Sequence, residues 1–465
     1  MIAPPPTGLR QQIASGEVSS TEATHGYLER IDRLDGLVGA FITVDAERAL
    51  EQARAADEAL AAGSSLGPLH GVPFVLKDNI DTAGLRTTAG SAFFADRVPD
   101  EDAEVTRRLR SAGAVVLGKV TLHEFAYGAT NQNPHFGPCR NPWDLDRVPG
   151  GSSGGSGAAV AAGFCAVALG TDTGGSVRIP AALNSVSALR PSHGRVSNRG
   201  VFPITWSFDT VGPIARSISD LAPVVDVLAG YDADDPHSVD APAPSCTDAL
   251  EQDLVGLRIG IPRNFFFEDV DADIVASVRA AADVYADLGA ELEEIELPGA
   301  ESAVDIATTI IRSEAFAIHR RRLDEHPELF GEDVRRRLRL GESISAADYA
   351  AQRQQGRLWR RTVDRAFERV EVILSPSAGT TAPPADSEMI ETTQRLVRLT
   401  YAWSLAGLPA ISVPCGFAAG GLPIGLQLAA ARFREPTLCR AGAAYQRATD
   451  WHLHEPPLTS SKGET

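Results

Sequence analysis

The sequence predicts an α/β fold, with one sheet layered between helices that cover both its faces. Three observations carry this expectation. Short apolar runs alternate with helix-patterned stretches between residues 63 and 240. Strand-like sequence returns after residue 371. The long helical section 241–370 is flanked by strand-like segments on both sides. Runs that are apolar throughout, without polar alternation, are what strands buried on both faces require.

The elements follow in order. Residues 1–62 read as helical and are expected to pack on the core. In "SSTEATHGYLERIDRL", Ser19 and Glu22 have capping-box spacing, and Tyr27, Leu28, Ile31 and Leu34 share one helix face. "AERALEQARAADEALAAG" predicts a second helix, stopping at Gly63. "VPFVL" (72–76), "AVVL" (114–117) and "AVAL" (166–169) predict buried strands, with helices at "AEVTRRLRSAG" and "GSGAAVAAG" between them. "YDADDPHSVDAPAPSC" is a charged, proline-bearing surface excursion, and "LRIGIP" after it predicts a strand. From Asp271 the pattern is helical to the region of Val370, apart from a strand at "AELEEIEL". "VEVILSPS", "PAISVPCGF" and "GLPIGLQLA" predict the closing strands. The stretches 1–62, 63–240, 241–370 and 371–465 are expected to form one large domain.

Composition narrows the function classes. The chain carries 43 basic and 61 acidic residues, a formal net charge of −18. That balance argues against a nucleic-acid backbone or an anionic membrane as partner. The one basic run, "RRRLRLG" from Arg335, reads as an exposed helix face. Five scattered cysteines without C-x-x-C spacing fit a reducing compartment and give no zinc site. "MIAPPPTGLRQQ" lacks a signal-peptide pattern, and the uncharged run Val148–Thr171 is too rich in Gly, Ser and Ala to span a membrane. A cytoplasmic protein is expected.

Two short motifs fail on physical grounds. "GAVVLGKV" (113–120) resembles a phosphate-binding loop, but Val120 cannot ligand magnesium and its intervening residues are strand formers. "GGSSG" (150–154) matches G-x-S-x-G, yet the preceding "NPWDLDRVP" is not the hydrophobic strand a nucleophile elbow needs. The downstream histidines His193, His237 and His319 lie in no segment suited to a triad.

A longer pattern does carry chemistry. "GGSSGGSGAAVAAGFCAVALGTDTGGSVRIPA" contains Ser152, Ser153, Asp172, Ser176 and Arg178, and "GVPFVLKDNIDTAGLRTTAGS" upstream ends a predicted strand at Lys77. Ser152 follows Lys77 by 75 residues and precedes Ser176 by 24. Together with "RPSHGRVSNRGVFP", "DTVGPIARSISD" and "GLPAISVPCGF…GLPIGLQL", these segments resemble the amidase signature family over most of the chain, the helical middle excepted. The resemblance implies an α/β/α layered fold with a large mixed, twisted central sheet. It also implies amide hydrolysis through an acyl-enzyme, without metal or cofactor.

Amide cleavage needs a nucleophile, an oxyanion site and an acid for the leaving nitrogen. In "TDTGGS" consecutive amides can converge, because glycine adds no side chain. Thr173, Gly174, Gly175 and Ser176 are therefore the candidate oxyanion hole. Taken alone, the segment is an Asp-Gly turn. Lys77 is the candidate base: free lysine has a pKa of about 10.4, so the role requires burial that lowers it by roughly three units. The resemblance implies Ser176 as nucleophile, Lys77 as ultimate base and Ser152, on a cis peptide bond, as relay between them. It further implies that Ser153, Asp172 and Arg178 support the loop, and that Tyr127, Gly128, Ala129 and Thr130 line the acyl pocket. His123 and His135, which flank that loop, read as structural.

Within the family the expected function is a stand-alone amidase acting on a small neutral or aryl amide, ester or carbamate. It is expected to be a monomer or homodimer with no nucleic acid and no membrane as partner. The alternative is the glutamine-hydrolysing component of a tRNA-dependent amidotransferase. Such components carry an "S-N-L-A-R-Y-D-G"-like run where this chain has "SEAFAIHRRRLDEH" (313–326), and many members have asparagine at the position of Ser404. Both departures count against glutamine recognition.

Overall fold

Eleven strands join in one mixed sheet. They are β1 (Phe41–Val44), β2 (Pro73–Lys77), β3 (Val115–Val120), β4 (Val167–Asp172), β5 (Ser187–Arg190), β6 (Thr210–Ala215), β7 (Arg258–Pro262), β8 (Glu291–Ile295), β9 (Val372–Pro376), β10 (Ala410–Phe417) and β11 (Pro423–Ala430). The order across the sheet is β1-β3-β2-β4-β6-β5-β10-β11-β9-β7-β8. This computed structural model describes residues 8–64 and 67–458. Of the N-terminal stretch read for a signal peptide, residues 1–7 lie outside the described residues. No helix among the described residues is long and apolar enough to cross a membrane.

The predicted apolar runs become β2, β3, β4 and β7–β11. Three strands depart from the expected pattern. β1 interrupts the N-terminal region expected to be wholly helical: "FITV" is short and β-branched, and it pairs antiparallel along the outer edge of β3. β5 and β6 form an antiparallel pair in the middle of the sheet.

The connections fix where side chains meet. β2 lies parallel to both β3 and β4, so their C-terminal ends share one edge of the sheet, the edge where α/β folds place ligands. Leu76 pairs with Leu169, which sets Lys77 beside the end of β4. The chain between β3 and β4 returns through the helix Gly154–Ala161, every residue of which is buried. A Cβ on Gly155 would stand 2.5 Å from the Thr121 carbonyl oxygen, so this linker-like composition serves close packing rather than flexibility.

A large apolar cluster fills the space between the sheet and its helices. A second cluster surrounds Trp403, which stacks on Phe266 with ring centroids 4.9 Å apart. It binds the helices Ala303–Glu325, Glu332–Glu342 and Ala346–Ala366 to the sheet. This is the helical middle of the sequence, and it closes over the edge where β2 and β4 end.

Candidate active site

Lys77, the last residue of β2, is completely buried. Its Nζ donates to Ser152 Oγ at 2.8 Å and to Thr171 Oγ1 at 2.7 Å. Burial removes the ammonium from water and lowers its pKa to about 7, against the pull of Asp209 and Asp172, which favour the charged form. The amine is thus poised to exchange a proton near neutrality.

Ser152 follows a cis peptide bond from Gly151. Its neighbour Ser153 ties the turn to β4: Ser153 Oγ donates to the Thr171 carbonyl at 3.1 Å and accepts from the Thr171 amide at 3.2 Å. The Ser153 amide donates to the Ser176 carbonyl at 3.2 Å, so the loop after β4 lies against the serine turn. Ser176 is partly exposed, the one member of the three that solvent reaches. Its hydroxyl makes no hydrogen bond among the described residues, so the structure joins Lys77 to Ser152 directly and leaves the Ser176 hydroxyl free at the edge of the site.

Asp172 organises the loop from Thr173 to Ser176. Its carboxylate accepts from the amides of Gly175 (2.8 Å) and Val177 (3.2 Å) and from the guanidiniums of Arg178 (3.0 Å) and Arg190 (2.9 Å). Burial alone would raise its pKa, but the two arginines outweigh that and hold it well below the usual carboxylate range. Arg178 continues to Ser404 Oγ at 2.9 Å and to Gln427 Oε1 at 3.2 Å, which gives Ser404 a place behind the loop.

The Gly175 amide is therefore committed to Asp172, whereas those of Thr173, Gly174 and Ser176 find no protein acceptor among the described residues. Gly175 has φ 128°, a region open to glycine. A Cβ on Gly174 would stand 2.1 Å from the Tyr401 ring. Thr173 Oγ1 donates to Asp209 at 2.6 Å, and burial raises the Asp209 carboxyl to about 6.

The Tyr127–Thr130 loop packs on the serine turn, since a Cβ on Gly151 would stand 2.9 Å from the Ala129 carbonyl carbon. Ala129 donates its amide to Thr393 Oγ1 at 3.1 Å, and Thr130 Oγ1 lies 3.3 Å from His123 Nδ1. A Cβ on Gly128 would collide with the His123 ring. His123 in turn meets Asp333 at 2.8 Å, and His135 meets Glu124 at 2.9 Å, both structural contacts.

Sequence reasoning missed several residues here. Thr171, Arg190 and Asp209 sit inside or beside the quoted motifs, but only the three-dimensional contacts give them roles. Arg337 was hidden in the run read as an exposed face. Arg335, Arg336 and Arg339 do face outward, where they pair with Glu332, Glu388 and Glu342. Arg337 points inward and is 7 % exposed. Its guanidinium lies 5.9 Å from the centre of the Tyr127 ring and donates to Thr393 Oγ1 at 2.9 Å. The Tyr401 hydroxyl, raised to about 12 by burial, feels both Arg337 and Arg312 as opposing positive charges. A cationic wall thus runs from Tyr127 to Tyr401, beside the glycine loop.

A buried lysine touching a serine at the open edge of a mixed sheet, with a glycine-rich amide loop alongside, defines an amide hydrolase that works without histidine. The Amidase family profile matches residues 22–439, and the chain belongs to that family. It is 44 % identical to the GatA-type component of the glutamyl-tRNA(Gln) amidotransferase of Roseiflexus sp. (strain RS-1), over 97 % of each chain. Among solved structures it is similar to one described as an unexpected vestigial protein complex that reveals the evolutionary origins of an s-triazine catabolic enzyme. That match has 36 % identity and a TM-score of 0.90, covering 95 % of this chain and 97 % of the other. The native peptide amidase of Stenotrophomonas maltophilia is 32 % identical with a TM-score of 0.85, over 97 % of both chains.

The relatives correct one expectation. A small-molecule partner, no nucleic acid and a monomer or homodimer were anticipated. The relative from Roseiflexus is instead named as one component of an enzyme acting on glutamyl-tRNA(Gln). The physical reason is that a net charge of −18 describes the surface of this chain alone. It carries no information about what an assembly of several chains handles.

Proposed function

We propose that this chain is the glutamine-hydrolysing component of a tRNA-dependent amidotransferase, releasing ammonia from the side-chain amide of glutamine. One observation carries the chemistry: the Lys77 amine, lowered to about 7, in direct contact with Ser152. Ser176 Oγ attacks the carbonyl carbon while its proton passes through Ser152 to Lys77. The oxyanion faces the free amides of Thr173, Gly174 and Ser176, while Gly175, by its bond to Asp172, holds their geometry. Collapse breaks the C–N bond, and the same relay returns the proton to the departing nitrogen. Water then cleaves the Ser176 ester in the reverse order, yielding glutamate.

Substrate choice rests on Arg337 and Arg312, a buried positive wall suited to the α-carboxylate of an amino-acid amide and of no use to a neutral aryl amide. Kinship to the Roseiflexus amidotransferase component across 97 % of the chain supports the same reading. The five free, buried thiols fit a cytoplasmic setting.

The test is ammonia release from glutamine, and glutamine-dependent conversion of glutamyl-tRNA(Gln), by the chain combined with the other components of such an enzyme. Absence of both, with turnover of an anilide by the chain alone, would replace this reading by the stand-alone amidase. The departure at Ser313–His326 favours that outcome. Esters and carbamates would then join the assay, since the same tetrahedral intermediate serves them.

A further inference from the structure

On the face of the helix Ala346–Ala366 turned away from Arg337, a second cationic site stands open. Its cavity, about 280 Å³, is lined by Arg353, Arg357, Arg360, Arg432, His193 and His237, and by no carboxylate among the described residues. In a chain of net charge −18, four guanidiniums around one hollow are against the average. The spacing is deliberate in a helix: residues 353, 357 and 360 follow at i, i+4 and i+7, which places them on one face. Gly356 in the lining leaves room between them.

The charges are largely uncompensated. Arg353 is neutralised by the buried Glu314, 3.4 Å away. Arg357, Arg360 and Arg432 have no ion-pair partner among the described residues. Asp364 and Glu435 act on Arg432 only at longer range. The Nε of Arg432 is buried without a hydrogen-bond partner, although its Nη2 donates to the His193 carbonyl at 2.9 Å. Elsewhere on the surface, Arg335, Arg336 and Arg339 each have their own glutamate. The positive field also marks His193, whose pKa falls to about 4 through burial, with Arg190, His237 and Arg432 disfavouring its charged form. At the rim Trp206 is 41 % exposed, an unusual position for so large an apolar ring.

We propose that this cavity binds the diphosphate of a nucleotide, with the base laid on Trp206. Guanidiniums take phosphate oxygens in paired hydrogen bonds, and several unpaired ones in a hollow answer a multiply charged anion rather than a single carboxylate. The volume admits a diphosphate but not a whole nucleotide, so the base lies outside, where an exposed indole offers a stacking face. The site is separate from the amide chemistry and does not depend on the proposed substrate.

The test is calorimetric titration of the full chain with pyrophosphate, ADP and adenosine at fixed salt. Saturable binding of pyrophosphate, tighter binding of ADP and none of adenosine is expected. Arg357→Gln with Arg360→Gln, both on an accessible helix face, should weaken pyrophosphate and ADP alike by roughly tenfold or more. Trp206→Ala should erase the advantage of ADP over pyrophosphate. Circular dichroism checks that each variant is folded. No saturable binding of either phosphate, or binding unchanged in the double arginine variant, overturns the proposal. So does an arginine-dependent affinity for tRNA without any for ADP, which would make this surface a nucleic-acid contact.

Discussion

Lys77 Nζ stands 2.8 Å from Ser152 Oγ although 75 residues separate them along the chain. The contact brings together the end of β2 and the turn that enters the helix Gly154–Ala161. With only hydroxyls as direct partners, the buried amine has no adjacent carboxylate among the described residues to hold its proton.

The first prediction is a pH profile. A base works in its neutral form, and the neutral fraction of Lys77 grows as pH rises through about 7. kcat/KM for amide hydrolysis should therefore climb from acidic pH and level off above neutrality. A rate flat over that range would remove Lys77 from proton transfer.

The second concerns the nucleophile. Ser176→Ala should abolish labelling by a fluorophosphonate and cut amide turnover by roughly 10⁴-fold or more. Ser152→Ala and Lys77→Ala should cut turnover by roughly 10²–10⁴-fold, as loss of a positioned acid–base group does. Labelling that survives in Ser176→Ala would mean that another residue attacks.

Thr171 supplies a third. Its hydroxyl accepts from Lys77 at 2.7 Å and from Asn79 Nδ2 at 3.3 Å. Thr171→Val keeps the shape and removes the acceptor that favours the ammonium. The inflection of the pH profile should move down by about one unit, since a hydrogen bond to a charged group is worth about 1.5–3 kcal/mol. A merely structural threonine would alter the rate without moving the inflection.

The sequence was most legible where strands are continuous apolar runs, as in "VPFVL" and "AVVL", because burial on both faces leaves little else for them to be. β6 was hidden by Gly212 and Pro213, residues that ordinarily argue against a central strand. Gly212 is there because a Cβ would stand 2.2 Å from the Leu189 carbonyl oxygen on β5. β5 was hidden by Arg190, a charge no isolated strand would bury; its partner Asp172 comes from β4, 18 residues away. The motif residues Lys77, Ser152, Ser153, Asp172, Ser176 and Arg178 were readable because their spacing is rigidly set by one βαβ passage. Arg337 was not, since in "RRRLRLG" nothing but the helix phase decides which arginine turns inward.

The buried Asp172 lattice gives a fourth prediction. Asp172→Asn leaves Arg178 and Arg190 facing each other without their shared carboxylate. Breaking a buried ion pair on one side costs about 3–5 kcal/mol, so the denaturant midpoint should fall substantially. In the native protein the depressed pKa of Asp172 adds stability that is fully present above the ordinary carboxylate pKa. That share should be lost only as pH drops below it. Asp172→Asn should therefore show less acid sensitivity than the parent; an equal sensitivity would contradict the lattice.

The last prediction separates the two substrate readings. Arg337 is buried, touches Tyr127 through its guanidinium face and retains a buried Nε with no hydrogen-bond partner among the described residues. Its nearest carboxylate, Asp333, is 3.7 Å away and shared with His123. A carboxylate-bearing substrate would complete that cation, whereas a neutral anilide would leave it as it is. Arg337→Gln should then raise KM for glutamine by roughly tenfold or more while kcat changes little, the pattern of binding lost equally from ground and transition states. Turnover of a neutral anilide should be unaffected. Equal damage to both substrates would assign Arg337 to holding the Thr393–Ala129 loop in place, and the charge argument for an amino-acid amide would fall with it.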